Sequence, residues 1–182
     1  MNLRVCPWWL SVFLAHSLRR IIHNPDKILA KFIQKGHTVA DIGCGPGYFT
    51  IAMAKLVGEK GRVIAADIQP KMLQYVHRSA EKKGLQSRII LHQCQENKLG
   101  IKEPVDFVLA FYMVHEVPEI ETFFKEIAAI MKPEAAFLLV EPIVHVTARR
   151  FEQIIQAACA AGLKSNTEVK IFGSRTMLFS PI

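Results

Sequence analysis

The chain has 182 residues, of which 51% are hydrophobic, and it carries a formal net charge of +7 with a pI near 9.4. A chain of this length predicts one domain that buries roughly two-thirds of its unfolded surface, so no disulfide or metal staple is needed. The four cysteines form no C-x-x-C pair. This excludes a zinc ribbon and a secreted disulfide framework, and a reducing cytoplasm fits best.

The positive charge is spread along the chain. Clustered Lys and Arg would indicate a nucleic-acid partner. Here the basic pairs Arg19-Arg20, Lys82-Lys83 and Arg149-Arg150 lie far apart. Solvated helix faces explain such pairs, so a nucleic-acid partner stays open but is not favoured.

The N-terminal segment imitates a short signal peptide, because Arg4 precedes the apolar run 5–15. Pro7 interrupts that run, and no small-x-small cleavage site follows it. The run is also too short to cross a bilayer, which takes about 20 residues. We therefore expect an N-terminal helical cap at residues 1–23, no membrane span, and a main domain at residues 24–182.

From residue 24 onward, hydrophobic periods typical of helices and strands alternate, as in a parallel sheet covered on both faces. Asn24 and Pro25 predict a helix start, with Asn as the N-cap, and Gly36 predicts its end. The elements predicted after it are a strand at 37–42, a helix at 48–57, a strand at 62–67, a helix at 70–83, strands at 88–93 and 105–111, a helix at 118–132, a strand at 136–141 and a helix at 147–161.

The chain closes with two predicted strands, 165–172 and 175–180, joined by a tight turn at Gly173-Ser174. Strands joined by so short a turn run antiparallel. The predicted fold class is therefore α/β: a doubly wound, seven-stranded, mostly parallel, Rossmann-like sheet with its last strand antiparallel and helices on both faces.

The sharpest motif follows the first predicted strand, where Asp41 precedes the alternate glycines Gly43, Gly45 and Gly47. Residues without Cβ let a ligand lie against the main chain at the carboxyl end of a strand. The third glycine stands one place too early for a dinucleotide fingerprint, and no Gly-Lys-Ser or Gly-Lys-Thr of a P-loop follows. Asp67 ends the second strand, where a carboxylate can accept hydrogen bonds from both ribose hydroxyls of a nucleoside.

The run 39–50, VADIGCGPGYFT, resembles the first motif of the class I S-adenosylmethionine-dependent methyltransferases. Residues 65–68 resemble that family's ribose-binding step, residues 106–111 its fourth-strand motif, and residues 130–133 the entry to its fifth strand. The likeness extends from about residue 24 to residue 180. It implies S-adenosylmethionine as the cofactor and S-adenosylhomocysteine as the product.

The resemblance also implies roles for individual residues. Asp41 would organise the glycine turn and the methionine ammonium group, Asp67 would hold the ribose, and Ile68 would lie against the adenine. A carboxylate near a cationic sulfonium is electrostatically favoured in any case, although Asp41 could instead be a cap. The residues assigned to cofactor binding are Asp41, Gly43, Cys44, Gly45, Gly47, Tyr48, Asp67, Ile68, Gln95, Ala110 and Phe111.

Gln95 departs from the family pattern, which often places an acid there to bind the adenine amino group. The amide oxygen of Gln95 can still accept that hydrogen bond. The alternative is an exposed loop residue.

The acceptor site is expected at the carboxyl ends of strands four and five, which carry Tyr112, His115, Glu141 and His145. Methyl transfer from a sulfonium needs an aligned nucleophile, and a base only when the acceptor must lose a proton. His115 and Glu141 are candidates for proton removal or acceptor orientation, with Tyr112 as a third catalytic candidate. A purely structural role remains open for each, and no metal site is expected.

The sequence lacks the motifs of methyltransferases that act on several classes of acceptor. Residues 110–113 are not an Asn/Asp-Pro-Pro-aromatic run, the Cys6-Pro7 pair lies before the domain, and no catechol-type aspartate cluster occurs near strand four. A small-molecule or lipid-like acceptor is favoured, and the Trp8-Trp9 segment would suit an apolar one, unless it is core packing. The alternatives are an RNA or protein methyltransferase, a non-catalytic cofactor-binding module, and a metalloid acceptor at Cys6, Cys44 and Cys94. No oligomeric state is predicted.

Overall fold

The structure is a computed structural model that describes residues 23–182. The predicted helical cap therefore lies outside the described residues, apart from His23. The chain divides into two units, the first ending at Gln93 and the second running from Cys94 to Ile182. Within the described range no helix combines the length and apolar character that crossing a membrane requires.

The first unit alternates helices and strands. Its elements are α1 (Pro25–Leu29), β1 (Thr38–Ile42), α2 (Tyr48–Leu56), β2 (Arg62–Asp67), α3 (Pro70–Glu81), a 3₁₀ turn (Gln86–Arg88) and β3 (Ile89–Gln93). The three strands pair in parallel in the order β3-β2-β1. Parallel neighbours need crossover connections, and α2 and α3 supply them.

The second unit contains the reversed strand. Its elements are β4 (Val105–Phe111), a 3₁₀ turn (Val114–Glu116), α4 (Ile120–Ile130), β5 (Met131–Pro142), α5 (Ala148–Ala160), β6 (Leu163–Thr167) and β7 (Ser174–Pro181). The strand order is β4-β5-β7-β6, with β4 and β5 parallel and β7 antiparallel to both of its neighbours. The predicted fold class is confirmed: seven strands form a mostly parallel sheet with β7 reversed.

Burial of nearly continuous apolar runs explains the strands. In β2 and β4 every residue is buried except Arg62 and Asp106, as expected for parallel strands covered on both faces. The second unit also packs phenylalanines around β5, where Phe137 and Phe179 stack with ring centroids 5.5 Å apart. Both rings are fully buried and each burial contributes about 1.5–3 kcal/mol. This packing anchors the middle of β5 in the core.

Side chains cap two of the helices, and the predicted cap at Asn24 is confirmed. The Asn24 side chain accepts a hydrogen bond from the Lys27 N–H at 3.2 Å, and the Thr147 hydroxyl accepts one from the Arg150 N–H at 3.2 Å. The first helix ends at Leu29, so its predicted extension to Gly36 is wrong. The N–H groups of residues 32 and 33 both donate to the Leu29 carbonyl, which tightens the chain and ends the α-helical ladder.

The fifth strand starts at Met131, five residues before the predicted start at Ala136 (136 − 131 = 5). The register between β4 and β5 shifts between Val105 and Phe107, and this irregularity lets the strand run through Pro133. The helix before it starts at Ile120 and not at Pro118.

The predicted tight turn at Gly173-Ser174 is wrong, because residues 168–173 connect β6 and β7. The Thr176 hydroxyl accepts a hydrogen bond from the Val169 N–H at 2.8 Å and donates one to the Val169 carbonyl at 2.6 Å. A side chain thereby satisfies backbone groups that strand pairing was expected to satisfy. The antiparallel direction of the two strands is confirmed.

Candidate active site

The glycine turn after β1 adopts left-handed backbone conformations, with φ of 67° at Gly43, 54° at Gly45 and 89° at Gly47. A Cβ placed on Gly47 would lie 2.9 Å from Cγ2 of Val76, so this glycine is needed for packing against α3. A Cβ placed on Gly45 would meet no heavy atom within 4 Å. Gly45 therefore presents bare backbone to open space, as a ligand lying on the main chain requires.

The carboxylate of Asp67 is tied to the same turn. Its Oδ2 accepts from the Gly45 N–H at 2.9 Å, and its Oδ1 accepts from the Gln69 N–H at 2.8 Å. Burial raises the pKa of Asp67, while the N–H donors of Gln69, Gly45 and Ile68 act in the opposite direction. A carboxylate has about four acceptor sites, so Asp67 keeps acceptor capacity beyond these three N–H groups.

Asp41 is 2% exposed and lies near the end of β1. The hydroxyl of Thr50, a fully buried residue of α2, donates to Asp41 Oδ2 at 2.5 Å. This contact fixes the carboxylate relative to the helix that follows the glycine turn. Thr50 was not among the predicted site residues, although it is the last residue of the motif at 39–50.

Replacing Thr50 with valine keeps the side-chain volume but removes the hydroxyl, so a buried oxygen of Asp41 loses this donor. We expect the free energy of unfolding to fall by about 1–3 kcal/mol in chemical denaturation. Thr122→Val, at an exposed position on α4, is the control and should leave stability within about 0.5 kcal/mol. Equal denaturation midpoints for the two variants would contradict this role for Thr50.

Three other predicted cofactor residues lie in the first unit. Cys44 is buried, with its thiol 3.6 Å from the Gly45 carbonyl. The Tyr48 hydroxyl donates to the His23 carbonyl at 2.9 Å. Ile68 is 37% exposed although it directly follows a buried strand. An apolar side chain left open beside Asp67 is available to a flat apolar group.

The remaining predicted cofactor residues lie in the second unit. Ala110 and Phe111 are buried at the end of β4. The side chain of Gln95 is exposed, while its backbone forms an isolated bridge with Lys98. Cys6 is outside the described residues, so the metalloid hypothesis stays a prediction. Among residues 23–182, no group of three or more His, Cys, Asp or Glu side chains is spaced to hold a metal ion.

Tyr112 directly follows β4 and has a φ of 63°, an unusual value for a residue with a side chain. A left-handed conformation costs a non-glycine residue about 1–2 kcal/mol, and two contacts hold it in place. The Tyr112 N–H donates to the Val140 carbonyl at 2.8 Å, and its hydroxyl lies 2.7 Å from the Ser174 hydroxyl. Strained residues held in this way concentrate at functional sites. Ser174 was not identified from the sequence.

His115 and Glu141, predicted separately, are in direct contact. Glu141 is fully buried, and its Oε2 lies 2.5 Å from Nδ1 of His115. The backbone N–H groups of Val114 and His115 donate to its other oxygen, Oε1, at 2.8 Å and 3.3 Å. The His145 ring, which the same prediction grouped with them, lies 5.8 Å from the His115 ring, centroid to centroid.

The hydrogen bond to Glu141 raises the pKa of His115 above its ordinary value. Partial burial of the ring lowers this pKa, and the charges of Glu141 and Glu116 add to the increase. A carboxylate accepts hydrogen bonds, so Nδ1 of His115 carries a proton and Nε2 of the neutral ring keeps a lone pair. Nε2 lies 3.9 Å from Glu116 Oε1, too far for a hydrogen bond. His115 can therefore take a proton at Nε2 while Glu141 stabilises the resulting imidazolium.

The sequence also matches known proteins. A family model described as a methyltransferase domain matches residues 33–172. The chain is 32% identical over 110 residues to a demethylmenaquinone methyltransferase of Lactobacillus johnsonii, covering 60% of this chain and 45% of that protein. It is 34% identical over 89 residues to a protein-L-isoaspartate O-methyltransferase of Thermotoga maritima, covering 48% of this chain and 27% of that protein. The chain thus spans less than half the length of these two relatives.

The fold matches a solved structure over almost its whole length. A crystal structure of an S-adenosylmethionine-dependent methyltransferase from Aquifex aeolicus has a TM-score of 0.87 and 25% identity, covering 98% of this chain and 100% of that one. The family model covers more than half of the chain. This chain therefore belongs to the family of class I S-adenosylmethionine-dependent methyltransferases.

Proposed function

We propose that this chain transfers a methyl group from S-adenosylmethionine to a small-molecule or lipid-like acceptor that first gives up a proton to His115. The observation that carries the proposal is the contact between His115 and the fully buried Glu141. A methyltransferase needs such a base when its acceptor is a weak acid in the protonated form. The backbone donors to Glu141 hold the carboxylate in place, so the imidazole is oriented before an acceptor arrives.

In this proposal the first unit supplies most of the cofactor contacts. The bare backbone of Gly45 offers the ligand surface, and Asp67, at the end of β2, accepts from the ribose hydroxyls. Asp41, held by Thr50, provides negative charge for the cationic methionine end, and Ile68 lies against the adenine. The cofactor, when bound, supplies an electrophilic methyl group. Gln95, Ala110 and Phe111 are proposed as further contacts.

The second unit supplies the residues that act on the methyl acceptor. A proton passes from the acceptor to Nε2 of His115, and the acceptor keeps the electron pair to which the methyl group becomes attached. Glu141 accepts the Nδ1–H of the imidazolium and so stabilises the charge that develops on the ring. Tyr112, tied to Ser174 and strained at its backbone, is proposed to orient the acceptor.

A small acceptor is supported by the relative that is named for demethylmenaquinone. A small apolar acceptor is also supported by the side chains that follow Glu141 along the chain. Ile143 and Val144 follow β5 directly after Pro142 and are 49% and 82% exposed. An apolar acceptor would find apolar side chains next to the carboxylate-bearing end of that strand.

The test uses S-adenosylmethionine labelled in its methyl group. The purified protein is incubated with an organic extract of cells, with an aqueous small-molecule fraction, with total RNA and with total protein. We expect label in a small-molecule product, and labelling at least about 100-fold slower with the His115→Ala variant. Label in RNA or protein would refute the proposed acceptor class. Tight cofactor binding without label in any fraction would show a non-catalytic binding module.

A further inference from the structure

Large apolar side chains are strongly exposed where β5 ends and β7 begins. Val144 is 82% exposed, Phe172 79% and Ile143 49%. The Ile143 N–H donates to the Gly173 carbonyl at 3.1 Å, so the two segments that carry these side chains lie side by side. We refer to Ile143, Val144 and Phe172 as the apolar tip. Exposed groups of large apolar residues typically mark contact surfaces.

Four cations lie within a few residues of the apolar tip along the chain and are referred to as the basic flank: Arg149, Arg150, Lys170 and Arg175. Among the described residues, none of them has a carboxylate within ion-pair distance. The nearest acidic residues along the chain are Glu152 and Glu168, both exposed. The basic flank therefore carries an excess of positive charge next to the exposed side chains of the apolar tip.

The position of two of these arginines works against helix stability. Arg149 and Arg150 lie in the first turn of α5, and that first turn contains no acidic residue. The macrodipole of a helix disfavours positive charge at its N-terminus. Stability of the helix does not explain this placement, whereas attraction to an external anion does.

A cavity of about 390 Å³ is lined by one residue of the apolar tip, Phe172, and by two of the basic flank, Lys170 and Arg175. Its lining includes Phe151, Lys170, Phe172 and Arg175, together with Glu168. The guanidinium of Arg175 is fixed by donation from Nε to the Val146 carbonyl at 3.0 Å. Apolar and cationic groups thus meet in one concave surface, which suits an amphipathic anion.

We infer that the apolar tip and the basic flank dock on the surface of an anionic lipid bilayer. Apolar side chains insert at the boundary between headgroups and acyl chains, and Lys and Arg beside them are attracted to anionic headgroups. The charge of the flank selects this occupant over a neutral apolar partner.

Docking would have a direct consequence for the proposed activity, on which this step of the inference rests. His145 follows Val144, and its ring lies 5.8 Å from that of His115. The bilayer would therefore be brought close to the proposed base. A lipid-like acceptor could pass from the membrane to the site without crossing water.

The first test measures partition onto vesicles of phosphatidylcholine with and without phosphatidylglycerol. We expect binding that rises with the phosphatidylglycerol content and falls with salt. The double variant Val144→Ser/Phe172→Ser should bind about tenfold more weakly. Ile182→Ser is the matched control, because Ile182 is 89% exposed just beyond the other end of β7.

The second test reverses charge. Arg149→Glu/Arg150→Glu should weaken binding to anionic vesicles by at least about fivefold for each residue changed, because a cation is lost and the new carboxylate is repelled by anionic headgroups. The double variant should fold, since Glu is favoured in the first turn of a helix. Lys82→Glu/Lys83→Glu changes the net charge equally at exposed positions of the first unit and should bind almost like the wild type.

Three results would overturn the inference: absence of vesicle binding by the wild-type protein, equal weakening by the two charge reversals, or full binding by the tip variant. A tip variant that only changes the oligomeric state in gel filtration would identify a self-association surface instead. The vesicle measurement uses neither cofactor nor acceptor, so its failure would leave the methyltransferase proposal standing. Conversely, the labelling experiment can fail while vesicle binding holds.

Discussion

His115→Ala should lower kcat by about 10²- to 10⁴-fold while cofactor affinity stays the same. The range is that of a general base whose removal leaves the bound geometry intact. Affinity should be unchanged because the proposed cofactor contacts of Gly45 and Asp67 do not involve this ring. The measurements are steady-state kinetics and calorimetric titration with S-adenosylhomocysteine. His77→Ala, at an exposed position on α3, is the control and should retain full activity.

The pH dependence tests the role of Glu141. A base works in its neutral form, so kcat of the wild type should rise with pH through the pKa of His115, above its ordinary value of 6.5. Glu141→Gln removes the hydrogen bond to a carboxylate and the negative charge, so this pKa should fall and the rising limb should move to lower pH. Glu116→Gln removes a charge 3.9 Å from Nε2 without breaking that hydrogen bond. The rising limb of kcat should therefore shift less in Glu116→Gln than in Glu141→Gln.

The contact between His115 and Glu141 also makes the free energy of unfolding depend on pH. A raised pKa means that folded His115 binds its proton more tightly than unfolded His115 does. The stabilisation is fully present below the unfolded pKa and is lost as the pH rises through the folded pKa. Chemical denaturation across this range should show the loss in the wild type and a smaller loss in Glu141→Gln. Identical pH profiles of rate and stability in these two proteins would refute the assigned role.

Asp67→Ala should weaken binding of S-adenosylhomocysteine by about 10- to 100-fold, measured by calorimetry. The change removes the acceptor proposed for the ribose, and one hydrogen bond to a charged group contributes about 1.5–3 kcal/mol, which is about 10- to 100-fold in affinity. It also removes the acceptor of the Gly45 N–H, so the glycine turn loses its tie to the end of β2. Both effects act on the same ligand surface.

Asp106→Ala is the control for this prediction. Asp106, like Asp67, lies on a strand, but it is half-buried and its oxygens pair with Nζ of Lys132 at 2.8 Å. Its loss should leave cofactor affinity unchanged. An Asp67→Ala variant that binds the product as tightly as the wild type would remove the basis for the proposed ribose contact.

Local patterns predicted most of the architecture. The bounds of β2 and β4 agree with the predictions at both ends, because each strand is a short apolar run with Gly or Pro near its start. The caps at Asn24 and Thr147 were also predictable, since a cap depends on residues within one helical turn. The predicted bounds were wrong where the end of one element depends on contacts with another element. The connection between β6 and β7 is an example, because the Thr176 side chain of β7 bonds the backbone of Val169.

The sequence by itself determined the class of fold, the family and the glycine turn with its companion Asp67, since each follows from residues close together in the chain. Only the tertiary structure decided which side chains meet. The contact of His115 with Glu141 arises because parallel β4 and β5 place residues far apart in sequence at one edge. The pairing of β5 with β7 likewise aligns Pro142 with Ser174, beside which the apolar tip is exposed. Strand register sets these distances, and it is fixed by packing of the whole sheet and not by any local pattern.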